Sequence, residues 1–136
     1  MMVCVDASLV LKWLTYEAGS DEAIAWLGIH ADDELIAPAH LPIEVASVLS
    51  QKARRGEITH EDGMEALRLL DSLDIRFTWD QELTERAFTL AIELDQPTVY
   101  DTAYLALAAR EQCELLTADG RFARAASPRY QFVRSL

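Results

Sequence analysis

Cysteine is scarce in this 136-residue chain, and the little present builds no framework. The two thiols, Cys4 and Cys113, each sit in apolar surroundings, which reads as buried and reduced rather than as a disulfide or a metal pair. Long apolar runs are missing as well, none approaching the roughly 20 residues of a membrane-spanning helix. The start, MMVCVDASLV, carries no early basic residue and is interrupted by Asp6, which argues against a secretory signal. His30, His40 and His60 have no partner ligands at metal-like spacing, which argues against a zinc site. There is no Gly/Ser linker, low-complexity tract or internal repeat. These absences predict one domain over residues 1–136, cytoplasmic and without a membrane partner.

Positive charge is in deficit too. Twelve Lys and Arg face 23 Asp and Glu, a net charge of −11, which at first sight argues against nucleic-acid binding, because phosphate contacts want basic residues. The distribution softens that objection. Lys52, Arg54 and Arg55 cluster in QKARRGE, and Arg121, Arg124, Arg129 and Arg134 lie in the acid-free stretch 121–136. Two readings stay open for these clusters: a solvated helix end with a basic tail, or contacts to a phosphate backbone.

What is present is ordinary for a globular domain: 51% hydrophobic and 26% charged residues, in a chain long enough to bury a core. The elements alternate. A strand at Met2–Val5 leads into the apolar-periodic helix ASLVLKWL. A helix within SDEAIAWLGIH takes Ser20 or Asp21 as its cap, and ELIAP is a short buried strand stopped by Pro38. HLPIEVASVLSQKARRG is a helix with Leu41, Val45, Val48 and Leu49 on its apolar side, closed by Gly56. THEDGMEALRLLDSL is a helix whose Thr59–Asp62 start resembles a capping box. IRFTW is a strand, DQELTERAFTLAIEL and YDTAYLALAAREQ are helices, and ELLTA and YQFVRS are the last two strands. Strands separated by helices pair in parallel through right-handed crossovers. The predicted fold class is therefore α/β, a three-layer α/β/α sandwich around a short, mainly parallel five-stranded sheet. In such sheets, sites form outside the carboxyl ends of the strands, where the strand order reverses.

Four acids draw attention in that frame. Asp6 follows VCV at the end of the first strand, Asp119 follows ELLTA in the same situation, and Asp101 opens a helix. Each alone reads as a helix cap or first-turn residue. All three would share one edge of the sheet, which independent caps do not explain. Glu44 interrupts the apolar LPIEVASVL, where a charge is costly to bury unless paired or metal-bound; pointing to solvent between the apolar positions is its other reading. Two carboxylates about 4 Å apart repel by roughly 4 kcal/mol at an effective dielectric near 20. Four in one pocket cannot all stay ionised without a cation or bound protons. The three Asp motifs contain no Lys or Arg, and Lys12 is the nearest basic residue. Hard oxygen ligands select Mg²⁺ or Mn²⁺, and such an ion serves phosphodiester hydrolysis. Ser8 either adds a hydroxyl to this cluster or bonds within its own helix turn.

DASLVLKWL, LPIEVASVL, TVYDTAYLALA and LLTADGRF, in that order over nearly the whole chain, resemble the PIN domain and, within it, the VapC-type toxins of toxin–antitoxin pairs. The resemblance implies a five-stranded parallel sheet, Mg²⁺- or Mn²⁺-dependent endoribonuclease activity, a homodimer, an RNA substrate and inhibition by a small cognate antitoxin. By position it carries the family's acidic quartet onto Asp6, Glu44, Asp101 and Asp119, with Asp6 and Asp101 as main metal ligands and Ser8 as the small hydroxyl residue. Lys12, Trp13 and Glu17 resemble a KW…E signature of one branch, which would let Lys12 steady the acidic pocket. Ser47 departs from the Asn that many relatives carry three residues after the glutamate. The basic clusters make Arg54, Arg55, Arg121 and Arg124 candidates for contacts to RNA or antitoxin. A PIN-type RNA-processing nuclease without a toxin role is the main alternative. A receiver-like phospho-acceptor would need adjacent acids after the first strand and a late Lys, whereas the last Lys here is Lys52. A non-catalytic interaction module would tolerate loss of an acid, yet all four are present.

Overall fold

The computed structural model describes residues 1–136. In chain order the elements are β1 (Met2–Val5), α1 (Ala7–Leu14), α2 (Ser20–Ile29), β2 (Glu34–Pro38), α3 (Leu41–Arg54), α4 (His60–Ser72), β3 (Ile75–Thr78), α5 (Gln81–Glu93), α6 (Tyr100–Glu111), β4 (Glu114–Thr117), α7 (Gly120–Ala126) and β5 (Val133–Ser135). The strands form one sheet in the order β3-β2-β1-β4-β5, and every pairing is parallel. The α/β sandwich with a five-stranded sheet expected from the alternation is what forms.

β1 lies at the centre, with Cys4 opposite Ile36 on one side and Leu115 on the other. Its Val3, Cys4 and Val5 are all buried, as a strand covered on both faces must be. The edge strand β3 instead buries only Ile75, with Arg76 and Phe77 both exposed. Right-handed crossovers put α1 to α4 on one face and α5 and α6 on the other; α1 packs on α2, α3 and α4, and α5 on α6. The helix α6 is apolar all round, with Thr102 through Ala108 buried, because it lies between the sheet and α5. The chain leaves β1 through β2 to β3, then crosses back to β4 and β5. The reversal point is thus the crevice between the carboxyl ends of β1 and β4.

The capping box of α4 is present: Asp62 N–H donates to Thr59 Oγ1 at 3.0 Å and Thr59 N–H donates to Asp62 Oδ2 at 2.9 Å. Two local expectations fail. The N-cap of α2 is Gly19 rather than Ser20 or Asp21, in the left-handed region at φ 88°, where a side chain would also press on the Lys12 stem at 3.2 Å. Ser20 turns inward instead, accepting from Glu17 N–H at 2.9 Å and donating to Thr15 O at 3.1 Å. And residues 120–126, to which the sequence pattern assigns no element, form the helix α7, which is too short for a periodicity signal and is set by its Asp119 cap.

Candidate active site

Asp6 ends β1 and caps α1, accepting from Leu9 N–H at 3.0 Å through Oδ1. Ser8 Oγ donates to the same oxygen at 2.7 Å, and Thr117 Oγ1 donates to Oδ2 in a short hydrogen bond. Thr117 is the last residue of β4 and wholly buried. It also accepts from Asp119 N–H at 2.9 Å, while Ala118 N–H donates to Ser8 Oγ at 3.0 Å. A small hydroxyl network therefore clamps the ends of the two central strands together and fixes both aspartates. Asp119 caps α7, accepting from Arg121 N–H at 3.0 Å and Phe122 N–H at 3.2 Å through Oδ1, which leaves Oδ2 without a partner.

Asp101 comes from the opposite helical layer. It lies in the first turn of α6, whose start is anchored by Thr102 Oγ1 donating to Ala87 O of α5 at 2.8 Å. Its carboxylate makes no hydrogen bond, and its pKa is raised to about 6 by burial first, then by the charges of Asp119 and Glu44, with His40 opposing. Asp6 is 4% exposed and its pKa is likewise raised to about 6, chiefly by burial, with the hydrogen bonds from Thr117, Ser8 and Leu9 opposing and the charge of Asp101 adding to the rise. Glu44 sits in the first turn of α3, half-buried, and Tyr104 of α6 donates its hydroxyl to Oε1 at 3.2 Å. His40 Nε2 lies 2.8 Å from the same oxygen but is poorly aligned for a hydrogen bond, so their attraction is Coulombic when the imidazole is protonated.

Asp101 is thus the electrostatic neighbour of the other three predicted acids, feeling Asp119 and Glu44 and acting on Asp6; they come from the β1–α1 turn, α3, α6 and the β4–α7 turn. No lysine or arginine acts on the raised pair Asp6 and Asp101. The four do not close into a ready cage: no three His, Cys, Asp or Glu side chains stand close enough to enclose one ion. A hard divalent cation still suits this donor set, because Mg²⁺ keeps several of its waters and requires one or two carboxylates. An uncompensated, half-buried carboxylate such as Asp101 is also the group a cation stabilises most.

Lys12 is placed elsewhere. Its ammonium donates to Ala18 O at 2.5 Å and to Glu17 at 3.4 Å, and Glu17 also takes Lys52 at 2.8 Å. With Trp13 Nε1 donating to Ala23 O at 2.9 Å, the KW…E residues tie α1 to α2 and α3 rather than meeting the acids. Arg55 pairs with Glu57 at 3.1 Å, whereas Arg54, Arg121 and Arg124 are exposed and have no carboxylate within 4.0 Å. Arg121 and Arg124 follow Asp119 on α7, beside the crevice. Residue-level reading missed Thr117, His40 and Tyr104. Their signals were faint: a hydroxyl at the strand end in LLTAD, and an imidazole and a phenol whose approach to Glu44 depends on helix packing.

A doubly wound parallel sheet with aspartates at its reversal point and no Lys or Arg acting on them defines an α/β domain whose donors suit a divalent cation. Residues 3–128 match the family model for the PIN domain, and the chain belongs to that family. It is 33% identical over 124 residues to Ribonuclease VapC12 of Mycobacterium tuberculosis, covering 90% of this chain and 91% of that one. It is 32% identical over 120 residues to Ribonuclease VapC9 of the same species, covering 88% and 87%. Among solved structures, it resembles Mycobacterium tuberculosis VapC20, described as a sarcin–ricin loop cleaving toxin, with a TM-score of 0.69 at 18% identity over 91% of this chain and 95% of that one. It also resembles VapBC2 from Rickettsia felis bound to a DNA fragment from its promoter, with a TM-score of 0.69 at 16% identity over 93% and 94%.

Proposed function

We propose that this protein is a Mg²⁺- or Mn²⁺-dependent endoribonuclease that hydrolyses RNA phosphodiester bonds. In this reading it acts in the cytoplasm as the toxin of a toxin–antitoxin pair, as a homodimer neutralised by a small cognate antitoxin. The observation that supports the reading is that Asp101 exchanges charge effects with Asp6, Glu44 and Asp119, with no Lys or Arg among the causes, in a chain whose relatives are named VapC ribonucleases. No helix is long and apolar enough to cross a membrane, in keeping with that setting.

Asp6 and Asp101 are the main cation ligands, with Glu44 and Asp119 completing the site. When bound, the cation supplies water activation and charge stabilisation at the phosphate. Ser8 and Thr117 hold the Asp6 carboxylate in one rotamer, and the Thr102 anchor fixes the start of α6 behind Asp101. Tyr104 orients Glu44. Burial and neighbouring charge push both the Asp6 and Asp101 carboxyls up to about 6, so protons compete with the cation and its affinity falls as the pH drops below that value.

Cleavage of single-stranded RNA by the purified protein is expected with Mg²⁺ or Mn²⁺, to vanish in excess EDTA, and to be abolished in Asp101→Asn. Full activity in EDTA or in that variant would refute the metal mechanism. A toxin role additionally requires a short reading frame adjoining the gene whose co-expression restores growth; a chain that cuts RNA without such a neutralising partner is an RNA-processing enzyme instead.

A further inference from the structure

Beside the acids lies an aromatic cluster that the metal chemistry does not use. His40, which precedes α3, is packed by three rings: Tyr104 at 5.0 Å, Trp79 at 5.9 Å and Tyr100 at 6.0 Å between centroids. Tyr104 is 1% exposed and its hydroxyl is committed to Glu44. Trp79 is half-buried and donates through Nε1 to Thr84 Oγ1 at 2.8 Å. Tyr100 differs: it is 56% exposed and immediately precedes Asp101 at the start of α6. It meets His40 tilted at 44°, so neither of its faces is spent on a parallel stack.

We propose that Tyr100, backed by His40 and Trp79, is a stacking subsite for an unpaired base of the substrate RNA, next to the bond that is cut. The proposal rests on the ribonuclease reading above. Its physical motive is electrostatic. The crevice gathers four acids in a chain of net charge −11, so phosphate contacts close to the reacting atoms are repulsive until a cation binds. A π-face attracts a base without needing positive charge, and stacking tolerates any base identity. The backing is stiff, because His40 is held between Trp79 and Tyr104 and stands 2.8 Å from Glu44. A base on Tyr100 would therefore be registered against the acids, with the adjoining phosphate over Asp101.

The test uses the full-length protein, its Tyr100→Ala and Tyr100→Phe variants, and a fluorescently labelled single-stranded oligo(A). Binding is read by anisotropy in EDTA, so that nothing is cut, and KM is measured in Mn²⁺. Tyr100→Ala is expected to raise Kd and KM about tenfold, the worth of one stacked base, while Tyr100→Phe stays within about twofold of wild type. Inorganic polyphosphate, which carries charge and no bases, is expected to compete equally well with wild type and Tyr100→Ala. An unchanged KM for Tyr100→Ala in Mn²⁺, an unchanged Kd where wild type binds in EDTA, or an equal loss in Tyr100→Phe overturns the proposal. Loss of antitoxin binding with unchanged RNA affinity also overturns it and assigns the ring to a protein contact. Wild type that binds oligo(A) through Tyr100 but cuts neither oligo(A) nor total cellular RNA in Mn²⁺ sinks the nuclease reading and leaves the subsite standing.

Discussion

Burying a carboxylate as deeply as Asp6 raises the free energy of its charged form, and three hydrogen bonds offset that penalty only in part. Its pKa of about 6 against an ordinary 3.8 corresponds to about 3 kcal/mol that ionisation costs the fold. The sign follows from where the proton binds more tightly. A carboxyl with a raised folded-state pKa favours folding below about pH 4 and withdraws that contribution as the pH climbs through about 6. Asp101 shares the direction, with burial and like charges as its causes. In denaturant melts without metal, Asp101→Asn is expected to match wild type near pH 4 and to become the more stable protein above about pH 6.5. Equal stability of the two proteins at pH 8 would contradict the electrostatic account. Thr117 tests the opposite kind of residue, one that positions rather than reacts. Thr117→Val leaves Asp6 Oδ2 and Asp119 N–H without their buried partner and should cost about 1–3 kcal/mol. Thr117→Ser should recover most of the stability and of the RNA-cleavage rate.

At the scale of elements, caps serve two purposes that substitution can separate. Asp119 both caps α7 and faces Asp101 electrostatically. Asp119→Asn retains a good capping side chain, so stability should hold within a few tenths of a kcal/mol while cleavage falls steeply. Asp119→Ala loses the cap as well, at about 1 kcal/mol. Thr59→Ala in α4 provides the contrast: it removes one half of the capping box at about the same cost, with no change in cleavage per folded molecule. Thermal melts paired with RNA-cleavage rates distinguish the three. The α4 box was legible from Thr59 and Asp62 because both partners are local. The α7 helix was not, because seven residues hold too few turns for a pattern, and its formation depends on where β4 delivers Asp119.

Over the whole molecule, the charge distribution decides how so acidic a protein holds RNA. Most of the basic side chains are neutralised by nearby carboxylates, as Lys52 is by Glu17 and Arg76 by Glu34. Arg54, Arg121 and Arg124 are not, which leaves them available for phosphate. Replacing Arg121 and Arg124 together by Gln should weaken RNA binding for every sequence alike. It should also flatten the slope of log K against log salt by about 1.4, two contacts at about 0.7 each for a single strand. An unchanged slope would take both arginines out of the substrate path.

The order and type of nearly all elements were legible in the residues alone, since alternating apolar runs and local caps are properties of chain neighbours. The sequence also singled out Asp6, Glu44, Asp101 and Asp119, because strand-end acids and a charge within an apolar helix violate local expectation. Tertiary structure alone decided what surrounds them. Lys12 carries its charge to Ala18 and Glu17 because the α1–α2 turn folds over it. Tyr104 reaches Glu44 across 60 positions, and Thr117 reaches Asp6 across 111, because parallel pairing sets β4 beside β1 and the sheet order brings α3 and α6, from opposite layers, to the same end of the sheet. Such contacts depend on sheet order and helix crossing, which no local pattern encodes.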